Sequence, residues 1–184
     1  MIERRPIIGV MGASEMPYED LSTVVGRLVA EFGHHLLTGA GAGVMTAVAK
    51  AYTEYPDRDG VSIGIVPTVD YEGGFVAREE YPNPYIEVPI LTPLDKKVQG
   101  DANPFSRNYV NVMTSSAMII LPGDHGTRNE ASLALQYGKQ AILFGPEDEF
   151  VKFPEQIART DNKAELCEFL EQVRKKLRVD TNDE

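Results

Sequence analysis

AMIILPGDHGTRNE, residues 117–130, joins an apolar run to a turn and a predicted helix. The run 117–121 is apolar at every position, which is typical of a parallel strand buried on both faces. Residues 130–139 have the Ala, Leu and Gln content of a helix. The Pro-Gly and Gly-Thr pairs between them predict a tight turn that opens the helix. A strand, a glycine turn and a helix in this order predict an α/β fold with a parallel sheet.

The same turn is suited to binding an anion. The first N–H groups of a helix have no intrahelical acceptor, and the helix dipole is positive at that end. A phosphate bound there would contact Gly123, Gly126 and Thr127, just after Pro122 ends the strand. Glu130 follows Thr127 by three residues and therefore lies on the same helix face. This spacing predicts a carboxylate within reach of whatever the turn binds.

Strand and helix patterns alternate along the whole chain. The other predicted strands are residues 6–12, 35–38, 61–66, 85–91 and 141–144. The other predicted helices are residues 18–32, 43–55, 103–115 and 163–177. Residues 67–84 and 92–104 are predicted loops at the carboxyl ends of strands, where open α/β sheets bind ligands, and residues 179–184 a frayed tail. The pattern predicts one doubly wound, Rossmann-like domain over residues 1–184, with a mainly parallel sheet and helices on both faces.

The charge balance restricts the class of ligand. The 184 residues carry a formal net charge of -10. Nonspecific nucleic-acid binding needs a basic surface, so nucleic acid is not an expected partner. A small phosphorylated molecule stays possible, because a local backbone cradle can bind an anion against the global field.

Several other classes of site have no support in the sequence. The single Cys167 excludes an intrachain disulfide and a thiolate zinc cluster, and we interpret it as a packing or surface residue. No His/Asp/Glu set has the spacing of metal ligands, so no metal and no cofactor is expected. No leader is recognisable, and no apolar run approaches about 18 residues. These features predict a cytoplasmic protein without a membrane partner.

A second glycine turn follows the predicted strand 35–38. Gly39, Gly41 and Gly43 permit tight bends and a close approach of the backbone to a ligand, although the same spacing serves helix packing. The turn does not fit a dinucleotide fingerprint, because Val44 occupies the place of its last glycine. Arg107, on the helix before residue 117, is either a solvated surface residue or a fork for a phosphate or carboxylate. His125 is interpreted as a space-filling turn residue.

The order of these motifs resembles the Lonely Guy family, the cytokinin-activating nucleotide phosphoribohydrolases long described as lysine decarboxylases. Their hallmark, P-G-G-x-G-T-x-x-E, is similar to residues 122–130. Gly43-Val44-Met45 resembles the end of their G-G-G-x-x-G-[LV]-M element, and residues 63–67 resemble their G-I-[IV]-P strand end. Arg107 lies at the family's spacing before the proline. The resemblance covers about residues 6–145.

Two departures from the family pattern are visible. Asp124 stands where the hallmark has its second glycine, and the neighbours of Arg107 do not match the family's M-H-E-R-K motif. We expect the Asp124 carboxylate to bond backbone N–H groups of its own turn, because facing a phosphate unpaired would be costly. Molybdenum-cofactor carrier proteins, a related branch, share the fold and the glycine turns and bind a phosphorylated pterin without hydrolysis.

The resemblance implies a function. It implies a homodimer that hydrolyses the N-glycosidic bond of a nucleoside 5′-monophosphate, with Glu130 and Arg107 as catalytic residues. The predicted phosphate- and ligand-binding residues are those of the two glycine turns: Gly39, Gly41, Gly43, Pro122, Gly123, Gly126 and Thr127. The alternative is a noncatalytic protein that binds a nucleotide or a phosphorylated cofactor, and a third is a structural or regulatory module. Binding needs the same turns as catalysis, so the sequence leaves these alternatives open.

Overall fold

The computed structural model describes residues 4–72, 74–94 and 106–180. In this part of the chain, eight strands form one sheet. The strands are β1 Ile7–Met11, β2 His35–Thr38, β3 Ser62–Tyr71, β4 Gly74–Ala77, β5 Val88–Thr92, β6 Ala117–Ile120, β7 Gln140–Phe144 and β8 Ala158–Thr160. The helices are α1 Glu19–Glu31, α2 Val44–Thr53, α3 Arg107–Thr114, α4 His125–Gln136 and α5 Lys163–Asp180, with a 3-10 turn at Glu147–Phe150.

Strand β1 lies at the centre of the sheet and pairs in parallel with β2 on one side and β6 on the other. Beyond β2 follow β3 and β5, and beyond β6 follow β7 and β8, all in parallel pairs. The chain therefore builds one half of the sheet outward from β1 and then crosses to the other side to begin β6. Ligands of open α/β sheets bind outside the carboxyl ends of the strands at such a switch point.

The two faces of the sheet have separate apolar cores. Ala117 and Ile119 of β6 pack with α1, α2 and α5, whereas Met118 and Ile120 of the same strand pack with α3 and α4. Successive side chains of a strand point to opposite faces, so a strand apolar at every position must be covered on both. The predicted doubly wound, Rossmann-like fold is confirmed.

One predicted segment differs from the structure, and two short elements were not predicted. Residues 67–84, predicted as a loop, contain the end of β3 and all of β4, which pair as an antiparallel hairpin. Pro67 and the acidic and glycine residues obscured this strand pattern, yet Pro67 lies in register with Thr92 of β5. Strand β8 and the 3-10 turn were not predicted, because both are too short to show a period.

Other boundaries also moved. Helix α4 begins at His125, whereas the sequence predicted a start at residue 130. The prediction began too late because the residues of the first turn have weak helix propensity. Helix α5 continues to Asp180 and so includes residues 179 and 180 of the predicted tail. Residues 181–184 of the predicted tail, 95–104 of the predicted loop and 103–105 of the predicted helix lie outside the described residues.

His34 lies buried where helix α5 covers the sheet. Its Nε2 donates a hydrogen bond to the Leu170 carbonyl at 3.4 Å, and the side chain is 1% exposed. Burial lowers the pKa of His34 to about 4, because the low-dielectric surroundings disfavour the imidazolium. The folded protein therefore stabilises the neutral imidazole.

We expect His34 to make stability dependent on pH. Its folded pKa lies below the unfolded value of 6.5, so its contribution is complete above pH 6.5 and declines as the pH falls toward 4. The full loss is roughly 3 kcal/mol. His34→Gln should flatten this slope in urea denaturation between pH 4 and 7.5. An unchanged slope in His34→Gln would contradict the assignment.

Candidate functional site

The loop after β1 connects the two glycine turns at the carboxyl edge of the sheet. Ala13 N–H donates to the Pro122 carbonyl at 3.0 Å, and Val44 N–H donates to the Ala13 carbonyl at 2.9 Å. A Cβ on Gly43 would collide with the Ala13 carbonyl oxygen, and one on Gly123 would lie 2.8 Å from Ala13 N. Both glycines are needed for this close approach. This loop was not predicted, although Gly12, directly after the first buried strand, was a signal for it.

The turn between β6 and α4 leaves its helix N-terminus without a side-chain cap. Asp124 is the N-cap residue, but its side chain makes no capping hydrogen bond. The expectation that Asp124 bonds backbone N–H groups of its own turn is therefore wrong. Asp124 is exposed, whereas Thr127 is buried, with its hydroxyl group against Gly123. The N-cap side chain therefore does not compete with an anion at the positive end of this 12-residue helix.

The turn between β2 and α2 already uses several of its own backbone groups. Gly41 N–H donates to Met45 Sδ at 3.4 Å. The Gly41 carbonyl accepts hydrogen bonds from Thr46 Oγ1 at 2.8 Å and from Asn83 Nδ2 at 2.9 Å. This turn therefore holds neighbouring side chains in place. The ligand-binding role of its three glycines stays a prediction.

A polar cluster of Gly39, Arg107, Asn111 and Glu130 lies between the two turns. Arg107 Nη1 donates to the Gly39 carbonyl at 2.6 Å, and Asn111 Nδ2 donates to Glu130 Oε1 at 2.8 Å. A Cβ on Gly39 would lie 3.5 Å from both Arg107 Nη1 and Asn111 Nδ2, so the two pairs adjoin. Arg107 is 2% exposed and Glu130 is 6% exposed. The interpretation of Arg107 as a solvated surface residue is wrong.

The polar cluster is incompletely satisfied within the described part of the chain. Arg107 Nε and Asn111 Oδ1 are buried without a hydrogen-bond partner there. Leaving a buried polar group unpaired costs about 1–3 kcal/mol. Arg107 is also the first residue of α3, at the positive end of that helix, which adds to the unfavourable local potential. An anion here would accept a hydrogen bond from Arg107 Nε and offset its charge, whereas Asn111 Oδ1 needs a hydrogen-bond donor.

Asparagines on α3 were not predicted as site residues. Asn111 follows Arg107 by one helical turn and reaches Glu130, while Asn108 Nδ2 donates to Asn129 Oδ1 of α4 at 3.2 Å. Their spacing of three residues was a usable signal, because residues three apart are neighbours on one helix face. Together they fix α3 against the first turns of α4.

His125 and Cys167 lie outside the polar cluster. His125 is the exposed first residue of α4, and Cys167 is half-buried on α5, against the apolar core. Among the described residues, no group of three or more His, Cys, Asp or Glu side chains is arranged to hold a metal ion. The same residues include no helix long and apolar enough to cross a membrane.

A family model for the SLOG cluster4 family matches residues 5–177, nearly the whole chain. The chain belongs to this family. The match confirms the resemblance to Lonely Guy-like proteins, including the branch that contains the molybdenum-cofactor carriers. It extends beyond residues 6–145, on which the resemblance was based, to include α5.

Individual relatives agree with the family assignment. An uncharacterised protein of Archaeoglobus fulgidus is 32% identical over 141 residues, which are 76% of this chain and 80% of that protein. The solved molybdenum cofactor binding protein of Rippkaea orientalis is 28% identical, with a TM-score of 0.67 over 94% of this chain and 99% of its own. The Moco carrier protein of Chlamydomonas reinhardtii is 26% identical, with the same TM-score and coverage. The two solved structures share the fold of this chain.

Gly123 and Gly126 should respond differently to alanine. A Cβ on Gly126 meets nothing within 4 Å, so Gly126→Ala should keep or raise the free energy of unfolding by up to about 1 kcal/mol. Gly123→Ala crowds Ala13 and Thr127 and should cost about 1–3 kcal/mol. Urea denaturation measures both changes, and titration with inorganic phosphate measures binding.

If an anion approaches the backbone of this turn, Gly126→Ala should weaken phosphate binding despite its full stability. A Gly126→Ala variant with unchanged phosphate affinity would show that no anion comes close to this position.

Proposed function

We propose that this SLOG cluster4 protein is a nucleoside 5′-monophosphate phosphoribohydrolase, which releases the free base and ribose 5-phosphate. The observation that carries the proposal is the buried carboxylate of Glu130. It is held by Asn111 and lies one helical turn beyond a helix N-terminus that no N-cap side chain occupies. The reaction itself is the one implied by the resemblance to the Lonely Guy family. Binding alone would not require a buried carboxylate at this place.

The 5′-phosphate binds at the N-terminus of α4 in this proposal. The free N–H groups of the first turn, at Gly126 and Thr127, donate to the phosphate oxygens, assisted by the helix dipole. Gly123 allows Thr127 and the β1 loop to close around the turn. Asp124 is exposed and does not compete for these N–H groups.

Glu130 acts on the ribose. In the hydrolysis, a water oxygen bonds to C1′ while the C1′–N bond breaks, its electron pair leaves with the base, and a water proton ends on the base. Positive charge develops on the ribose before the water has bonded. The Glu130 carboxylate stabilises this charge and orients the water, and its position is fixed by the hydrogen bond from Asn111.

Arg107 supports the site from the other side. Its guanidinium donates to the Gly39 carbonyl and so holds the first glycine turn close to Glu130. The charge of Arg107 also partly offsets that of Glu130 and of a bound phosphate in a region with little water. We infer a positioning role for its guanidinium and a share in ligand binding. The resemblance also implies a homodimer, which stays a prediction.

A second candidate function is the noncatalytic binding of a phosphorylated ligand. The observation that favours it is the likeness to a molybdenum cofactor binding protein at 28% identity over nearly the full length of both chains. Incubation with a panel of nucleoside monophosphates, followed by chromatography of released base, separates the two candidates. Base release by the wild-type protein supports the hydrolase. Nucleotide binding without base release from any monophosphate would decide for the carrier-like function.

Phosphate recognition should dominate binding in both candidates. AMP should raise the thermal stability of the protein, whereas adenosine should do little, because only AMP reaches the N-terminus of α4 with a charged group. At about 100 times the dissociation constant, the stabilisation corresponds to roughly 2.7 kcal/mol. Thermal unfolding with each compound is the measurement. Equal stabilisation by AMP and adenosine would show that the phosphate does not contribute to binding.

Glu130→Gln should reduce turnover more than binding. The change keeps the shape of the side chain but removes the charge that opposes the developing ribose cation, at a cost of about 2.7–4 kcal/mol or roughly 100- to 1000-fold in kcat. Glu168→Gln, at an exposed position on α5, is the matched control and should leave kcat unchanged. A Glu130→Gln variant with wild-type kcat would exclude the carboxylate from the reaction.

A further inference from the structure

The segment between β4 and β5 folds over the first glycine turn. Asn83 N–H donates to the Ala40 carbonyl and Asn83 Nδ2 donates to the Gly41 carbonyl, each at 2.9 Å. Asn83 is itself buried. Two hydrogen bonds from one buried residue fix this segment against the turn. Its side chains therefore have defined positions at the carboxyl edge of the sheet.

Tyr81 lies between this turn and the polar cluster. The Arg107 guanidinium carbon is 5.4 Å from the centre of the Tyr81 ring, an arrangement typical of a cation–π contact. A Cβ on Gly41 would lie 3.0 Å from the Tyr81 hydroxyl oxygen and 3.1 Å from its Cε1. The side chain is half-buried. The ring is thus held on two sides and keeps part of its surface open to solvent.

A series of contacts leads from the first turn of α4 to Tyr81. Thr127 lies in the first turn of α4, Glu130 lies one turn further, and Glu130 is bonded to Asn111. Asn111 adjoins Arg107 across Gly39, and Arg107 contacts Tyr81. A nucleoside monophosphate has the same order of parts, since the ribose separates the phosphate from the base. A phosphate on α4 and a ribose near Glu130 direct the base toward Tyr81.

We propose that Tyr81 is the residue that contacts the base of the ligand and so selects ligands with a planar aromatic group. This rests on the ligand class of the proposed function but not on hydrolysis. An aromatic ring stacks on every base, and a neighbouring guanidinium strengthens such contacts. Tyr81 therefore recognises the aromatic plane, whereas the N-terminus of α4 recognises the phosphate.

The test compares AMP with ribose 5-phosphate, which lacks the base. The wild-type protein should bind AMP more tightly in isothermal titration. Tyr81→Leu should weaken AMP binding by about 5- to 100-fold, the range found for the loss of one base–aromatic contact, and leave ribose 5-phosphate binding unchanged. Tyr81→Phe keeps the ring and should bind both ligands like the wild type.

Tyr85→Leu is the matched control, because Tyr85 belongs to the same segment but packs on the apolar core. It should lower stability without changing the ratio of the two affinities. Equal losses of both ligands in Tyr81→Leu, or no loss of either, would overturn the proposal. So would equal affinity of the wild-type protein for AMP and ribose 5-phosphate, a result that needs no variant. If Tyr81→Leu loses affinity for AMP alone and the wild-type protein releases no base, hydrolysis is refuted and the role of Tyr81 is supported.

Discussion

The backbone hydrogen bonds of Ala13 are the constraint on which the site depends. Its N–H binds the strand end at Pro122, and its carbonyl accepts from the start of α2 at Val44. One residue of the loop after the central strand therefore sets the distance between two glycine turns that are far apart in sequence. Only residues without a Cβ fit at Gly43 and Gly123, where the backbones meet. The glycine turns bring three chain segments together before any ligand is present.

This close packing has an energetic consequence at the polar cluster. Arg107 and Glu130 are buried between the turns, where ions are poorly solvated, and Arg107 Nε has no hydrogen-bond partner among the described residues. Stability alone favours apolar side chains of similar volume at such positions. In the proposed function a nucleotide interacts with both residues, because its phosphate is negative and its ribose becomes positive during hydrolysis.

The sequence predicted what periodicity and glycine spacing determine, and it missed what tertiary contacts determine. The strand at residues 117–121 was recognisable because burial on both faces requires an unbroken apolar run. The burial of Arg107 was not recognisable, because the sequence of one helical turn does not reveal which face of the helix will pack against the sheet. Asn111 and Tyr81 belong to no recognisable motif. Each was singled out by a contact that only the fold creates: Asn111 bonds Glu130, 19 residues away, and Tyr81 contacts Arg107. The β3–β4 hairpin was hidden by Pro67, which a parallel neighbour accommodates.

Asp124, the departure from the family's hallmark, changes charge without changing geometry. Its backbone is extended, with φ −89° and ψ −159°, a conformation open to any residue, so this turn has no need of glycine there. Its charge also acts toward Tyr18, where burial and Glu149 raise the pKa of the phenol and Asp124 adds to the same effect. The carboxylate therefore adds negative charge on the side of the turn that faces Tyr18. Because the backbone conformation at position 124 does not require glycine, any effect of Asp124 on phosphate binding is electrostatic.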